Sequence, residues 1–393
     1  MFPMDIPVPS QPFPFTTYEY KGHFAKAATI AERYGFNVVT VPKLQKKERS
    51  LKSPERFAES RVALLRAISE VRYDPKEQPL LLMYTEKVPY RPLRRLHLDI
   101  IGVSSGAAEA VLLYTTRAIL REYGYDNLSL AINSVGGRNA QPHFRAELTA
   151  YYRTHLHATL NECPHCSVAL KENLTDVLAC TREQCAMIHE NAPKPIHFLS
   201  ESSRAHFHDV LEALEHFAIP YTIAHHLVGD ERYTTRTIFE LRAPHGRSGT
   251  PVSVAYGERY DNLGTLTRAH RDIPAIGVAI DTNCSSLRES YKERTGPQKP
   301  TAHIVQMGAP ARFKGLMLME LLRTKNIDAH ATFLEQTLAE QMRLAKKKSP
   351  PFLVIIGHKE AMENTAIVRH VESHTQATVP LEDIPRHIAR FRI

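Results

Sequence analysis

The stretch RAHFHDVLEALEHFAIPYTIAHHLV, Arg204–Val228, decides how the rest of the chain is read. Phe207, Val210, Leu211, Leu214 and Phe217 recur at steps of three and four and so share one face of an amphipathic helix. Pro220 breaks the pattern, and the β-branched and aromatic run after it reads as a strand carrying the His225–His226 pair. Upstream, from Arg138 to Phe217, the periodicity stays helical. Downstream, TRTIFELRA, TPVSVAYG and PAIGVAI are strands. A helical block is therefore inserted into a mostly antiparallel sheet, and the fold class is α+β.

Toward the N terminus, HFAKAATIAERYGF places Phe24, Ala27, Ala28, Ala31 and Tyr34 on one helical face. Gly35 closes that helix, and FNVVTVP follows as a strand ended by Pro42. KLQKKERSLKSPERF reads as a charged loop. ESRVALLRAISEV reads as a helix with Val62, Leu65 and either Ile68 or Val71 inward. PLLLMYTEKVPYRPLRRLHLDIIGV yields two strands, Leu80–Thr85 and Leu96–Val103, joined by a basic, proline-stiffened connection. AAEAVLLYTTRAILREYG is a long helix closed by Gly124, and NLSLAINSVGG is a strand.

Toward the C terminus, residues 286–300 read as a polar linker, after which strand and helix alternate. AHIVQMG, IDAHATF and PFLVIIG are strands separated by two helices, a pattern that predicts parallel pairing. TAIVRHV and QATVPL add edge strands. The expected organisation is a sheet core over 1–137 and 218–285, a helical insertion over 138–217, the linker, and a small α/β domain over 301–393.

The composition fits a globular chain: 393 residues, 43% apolar and 23% charged. No stretch reaches the roughly 18 apolar residues of a membrane span, so no membrane association is expected. The first residues carry neither the basic nor the apolar region of a signal peptide. Five cysteines are too few for a disulfide scaffold, which points to a reducing, cytoplasmic setting. The net charge of +8 can attract nucleic acid, but many proteins this basic bind none.

The order of these motifs resembles the histidyl-tRNA synthetase family of class II aminoacyl-tRNA synthetases. RYGFNVVTVP is similar to that family's first motif, which builds a dimer interface. AINSVGG, the Ala192–Val228 run, RTIFEL and RYDNL are similar to the segments between its second and third motifs, and PAIGVAI to the start of the third. The tail from Ile304 to Ile384, with TLAEQMRLA and VPLEDI, is similar to the anticodon-binding domain. The resemblance implies a class II synthetase-like antiparallel core with a helical insert and a C-terminal anticodon-binding-like α/β domain. It also implies a homodimer and tRNA or another RNA as partner.

The ligand-binding residues depart from the family pattern. Adenylate formation needs fixed guanidinium groups against the ATP phosphates. Tyr84 stands where the second motif carries arginine, and Cys284, which reads as an inert buried thiol, stands where the third does. Gly229 replaces a third arginine, with Arg232 three positions away. Tyr256, Gly257 and Glu258 replace a glycine triplet, so two large side chains enter space meant for ligand. The pocket-like residues that the resemblance keeps are Glu59, Glu86, Arg91, Asp99, Tyr233, Arg236 and Arg259, with Arg61 in place of the threonine expected after Glu59. Glu59 equally suits a solvated helix start, and Arg236 suits packing between sheet and insert better than lining a pocket. Gln341 and Arg343 fall on the helix that faces RNA in the family.

Cys163 and Cys166 in CPHC, and Cys180 and Cys185 in CTREQC, form two close pairs suited to a zinc ion or to a reduced helical core. The reading these residues favour is a non-catalytic tRNA-binding or regulatory protein. A divergent histidine–tRNA ligase using ATP and Mg²⁺ and a regulatory subunit of histidine biosynthesis stay open as alternatives.

Overall fold

The computed structural model describes residues 13–45, 58–87, 94–154, 158–172, 174–180, 182–245, 249–267, 271–284, 291–293, 300–335 and 337–391. In chain order the elements begin with β1 (Tyr18–Tyr20), α1 (Ala25–Arg33), β2 (Asn37–Val38), α2 (Ala58–Glu70), β3 (Leu80–Lys87), β4 (Arg94–Ile101), α3 (Ala107–Glu122) and β5 (Ser129–Ser134). A run of helices follows: α4 (Ala140–Thr154), α5 (Ala158–Glu162), α6 (Pro164–Glu172), α7 (Glu183–Glu190) and α8 (Glu201–His216). Strands resume with β6 (Tyr221–Ile223), β7 (Thr235–His245), β8 (Thr250–Arg259), β9 (Ala275–Cys284) and β10 (Tyr291–Glu293). The C-terminal part holds β11 (Ala302–Gln306), α9 (Gly308–Thr324), β12 (Ala329–Ala331), α10 (Leu338–Lys348), β13 (Phe352–Ile356), α11 (His358–Glu363), β14 (Thr365–His370), β15 (Gln376–Pro380) and α12 (Ile384–Ala389).

Among the described residues the large sheet has the order β2-β3-β4-β9-β8-β7-β5-β6. Its five inner pairings are antiparallel and the two outer ones parallel. Strand alternation splits it into two faces. Leu98, Ile100, Val278, Ile280 and Ile132 point to one side and pack with Val111 and Leu112 of α3 and Val210 and Leu214 of α8. Leu82, Tyr84, Ile101 and Ala275 point to the other side and pack with Val62, Leu64, Leu65 and Ile68 of α2. That second face is where the candidate site lies.

The smaller sheet has the order β12-β11-β13-β14-β15, parallel over its first three strands and antiparallel beyond them. It meets the core through α1 and α3. Arg33 donates to Asp328 at 3.1 Å, Arg323 pairs with Glu122 at 3.4 Å, and the Tyr34 and Phe333 rings lie 6.1 Å apart. Gly35 permits this contact: its φ is +94°, and a Cβ there would come within 3.1 Å of the Ala331 carbonyl.

Several expectations need correction. His225 and His226 lie in the turn after β6, because that strand ends at Ile223. Within the stretch read as linker, β10 pairs antiparallel with β1. Val71 is 58% exposed, so Ile68 takes the inward place. Of the two strands read as edges, β15 lies at the sheet edge and β14 is covered on both sides by β13 and β15. Arg91 falls outside the described residues. Among the described residues no helix is long and apolar enough to cross a membrane.

Two buried histidines make the fold acid-sensitive. His97 lies flat on Tyr84, with centroids 4.9 Å apart and planes at 5°. Burial, together with the Arg61 and Arg95 guanidinium groups, holds it well below the usual imidazole range. His303 on β11 is pushed down to about 3 by burial and by Lys348. Both stay neutral in the folded chain, whereas an unfolded histidine takes a proton near pH 6.5. Stability is therefore unaffected by these groups above pH 6.5 and falls as the pH drops below it, by about 1.4 kcal/mol per pH unit for each histidine. Urea unfolding at pH 7.5 and pH 5 should show this loss, and His303→Leu should remove about 2 kcal/mol of it.

Candidate functional site

The site follows from the strand register. Asp99 on β4 lies directly opposite Gly277 on β9, and Gly277 lies directly opposite Glu258 on β8. Residues directly opposite each other in antiparallel strands present their side chains on the same face. Two carboxylates therefore flank a position with no side chain. A Cβ on Gly277 would lie 1.7 Å from Asp99 Oδ1 and 2.8 Å from Arg61 Nη2, so this row demands glycine. The neighbouring row on the same face runs Tyr84, His97, Ala279, Tyr256.

Arg61 fills the gap. It rises from the first turns of α2, and its guanidinium lies between the carboxylates. Nε donates to Asp99 Oδ1 at 3.2 Å and Nη1 donates to Glu258 Oε1 at 3.0 Å. The Tyr260 ring lies 4.4 Å from the guanidinium carbon, within cation–π range. Tyr260 Oη donates to Asp99 Oδ1 at 2.7 Å, and Thr234 Oγ1 donates to Glu258 Oε2 at 2.8 Å. Arg61, Asp99, Glu258 and Tyr260 are each 1% exposed or less. Burial alone would pull the Arg61 guanidinium down, but Asp99, Tyr260 and Glu258 hold it above its ordinary value, so it is charged. Burial raises the Tyr84 and Tyr260 phenols, which are neutral.

A second buried cluster lies on the opposite face of the sheet. Arg259, at the end of β8, donates from Nη2 to Glu109 Oε2 at 2.7 Å and from Nη1 to the Val103 carbonyl at 3.0 Å. His206 Nε2 lies 2.8 Å from Glu109 Oε1, to which Thr237 Oγ1 also donates. Burial would raise the Glu109 carboxyl, but Arg259 and His206 hold it well below the usual carboxylate range. This cluster ties α3, α8, β7 and β8 together, so Arg259 is committed to structure.

The residues singled out in the sequence fall into three groups. Asp99, Glu258 and Tyr84 converge on the site, and Tyr233 is 1% exposed in the apolar cluster beside it. Glu86 approaches His97 to 3.7 Å, and burial raises its carboxyl. Glu59 lies in the first turn of α2, partly exposed. Arg232 is paired with Asp230, and Arg236 Nη1 donates to the Ser104 carbonyl at 3.2 Å. The Cys284 side chain falls outside what is described. Arg61, the residue that defines the site, was read only as a departure from the threonine expected after Glu59; the signal that could have found it is an arginine three and four positions from Leu64 and Leu65 on a buried helix face.

Gln341 is not where an RNA contact can form. It is 1% exposed and accepts from the Gln306 N–H at 2.9 Å, while its amide donates to the Gln306 and Glu335 carbonyls at 2.8 and 3.0 Å. Its hydrogen bonds fasten α10 to β11. Arg343, two residues further along the helix, is partly exposed and paired with Glu340.

The four cysteines of the insertion come together around the start of α6 and the start of α7. Their sulfurs lie within 4.8 Å of one another, and Cys163 and Cys180 are 3.8 Å apart. Backbone N–H donation from Cys166 pulls the Cys163 thiol down to about 6, against burial and with help from Arg182.

Comparison with known proteins gives a consistent picture. Residues 305–390 match the family model described as the anticodon binding domain. The chain is 26% identical to the histidine–tRNA ligase of Symbiobacterium thermophilum over 78% of its own length and 70% of the relative's. It is 28% identical to that of Desulforamulus reducens over 83% of its length and 79% of the relative's. Among solved structures, apo histidyl-tRNA synthetase from S. aureus superimposes with a TM-score of 0.51 at 21% identity, covering 92% of this chain and 93% of that one.

Arg259→Ala strands Glu109 as a buried, uncompensated charge and should cost about 3–5 kcal/mol in chemical unfolding. Adding Glu109→Gln should recover much of that loss. Additive losses in the double variant would contradict the pairing.

Proposed function

As a divergent member of the histidyl-tRNA synthetase family, the chain sets an unusual site on that family's sheet, and we propose that it binds tRNA without forming an aminoacyl-adenylate. The observation that carries this reading is Arg61 lying over Gly277 between Asp99 and Glu258. A triphosphate needs fixed, uncommitted cations aimed at its oxygens. Here the row holds two carboxylates against one guanidinium, and that guanidinium and Arg259 are each held by carboxylates. Tyr84 is a neutral phenol with no charge to offer a phosphate. Removing a single preorganised donor costs about 10²–10³ in rate, and several are replaced here.

The tRNA side of the proposal is supported by the anticodon binding match and by the net charge of +8. Lys346, Lys347 and Lys348 cluster in the last turn of α10, and Arg343 lies on the same helix. Such cations bind the phosphate backbone and release counterions. A homodimer through the α1–β2 region and a reducing, cytoplasmic setting complete the reading.

The insertion is read as a structural zinc module. Four thiolates around Zn²⁺ at about 2.3 Å span a tetrahedron whose edges are about 3.8 Å, and the Cys163–Cys180 separation is 3.8 Å. Cys163, Cys166, Cys180 and Cys185 would be the ligands, and the ion would supply folding energy to a module with a small apolar core.

Pyrophosphate exchange with each amino acid should stay at background, while tRNA is retained in filter binding with an affinity that falls steeply as salt rises. Histidine-dependent exchange would overturn the proposal in favour of a ligase. Elemental analysis should find one zinc per chain, lost in Cys163→Ser and Cys180→Ser together with a lowered melting temperature of the insertion. Zinc-free protein whose stability ignores both substitutions would exclude the metal.

A further inference from the structure

We infer that Asp99, Glu258, Tyr260 and the bare backbone of Gly277 form a binding box for one planar cation, and that Arg61 is its built-in occupant. The inference rests on the reading that this site does not take ATP, and it names the ligand class the site accepts instead. Arg61 is here a positioning residue, an intramolecular ligand contributed by α2.

The charge balance comes first. Two carboxylates face one guanidinium in a space closed to water, so the groups around Arg61 carry net negative charge. Such surroundings attract cations and repel phosphates or carboxylates. Shape follows. Gly277 leaves a gap that no other residue could leave, one carboxylate on each side lies in hydrogen-bond range of the guanidinium edge, and the Tyr260 ring lies 4.4 Å from its centre. A flat group with N–H donors on its rim and positive charge over an aromatic ring matches all three walls.

Two further observations separate a box from an ordinary ion pair. Asp99 Oδ2 is fully buried and accepts no hydrogen bond among the described residues, so the box offers one more acceptor than Arg61 uses. The walls also have partners of their own. Tyr260 Oη holds Asp99, Thr234 Oγ1 holds Glu258, and the Tyr260 backbone N–H donates to the Ala275 carbonyl at 2.8 Å. Arg61 enters from a different element, so removing its side chain leaves walls that are still positioned. The ligand class is therefore a small planar cation of the guanidinium or imidazolium type. Its neutral isostere urea and simple metal salts fall outside that class.

The experiment uses the full chain carrying Arg61→Ala, with thermal melting followed in low-millimolar guanidinium chloride, imidazolium chloride, sodium chloride or urea. The variant should melt on the order of 10 °C below the unaltered chain, because two carboxylates are left buried without their cation. Guanidinium and imidazolium should restore a large part of that loss in a saturable way, sodium and urea should not, and the unaltered chain should respond to none of them. If Arg61→Ala does not fold, the double variant Arg61→Ala/Glu258→Gln carries less stranded charge and should show the same contrast with a smaller rise. Guanidinium acting no better than sodium chloride on the variant that folds overturns the inference. Failure of the parent reading would show separately, as histidine-dependent pyrophosphate exchange by the unaltered chain.

Discussion

Arg61 is held in place by a row of three backbone positions: Asp99, Gly277 and Glu258, side by side on adjacent strands. An ion cluster this deeply buried is tolerable only when each charge has partners of good geometry. The sheet supplies them by register alone. Glycine at the central position makes room, the two carboxylates bracket the guanidinium, and Tyr260 closes it from the aromatic side. Moving the register of β9 by one residue would put Val278 or Ile276 between the carboxylates and Gly277 among the core residues packed on α3. The position of α2 depends on the same row, because its buried arginine has nowhere else to be neutralised.

The second cluster around Glu109 plays a complementary part. It fixes α3 and α8 to β7 and β8 on the side of the sheet away from α2, so the strands that bear the site are pinned from both faces. Two arginines in the centre of the core are thus committed to carboxylates. Both clusters rest on side chains at a few positions, and the strand order puts those positions next to one another.

Much of the architecture was legible because it is written in periodicity. The insertion between β5 and β6, the alternation in the C-terminal part and the helix stops at Gly35 and Gly124 all follow from local pattern. What was missed depends on partners distant in sequence. A charged residue in a helix normally faces water, and nothing near Arg61 in the chain reveals that Asp99 and Glu258 wait for it 38 and 197 residues away. Glu258 was read as a large side chain in place of a glycine, and its partner Arg61 was not visible in the sequence. Gln341 was misread for the same reason: its position on α10 suggested an exposed helix face, whereas the backbone at Gln306 and Glu335 takes up its amide. The cysteines were legible because their spacing is itself the signal, and the turns at the starts of α6 and α7 bring both pairs to one point.

The central claim is that the space flanked by Asp99 and Glu258 is occupied by the chain's own cation and has no cradle for a triphosphate. Its most direct test is calorimetric titration of ATP and Mg²⁺ into the full-length chain with histidine present. The account predicts no saturable heat up to millimolar ATP. A one-to-one isotherm with a micromolar dissociation constant would contradict it, since that would require Arg61 to leave its carboxylates or other guanidinium groups to reach the phosphates.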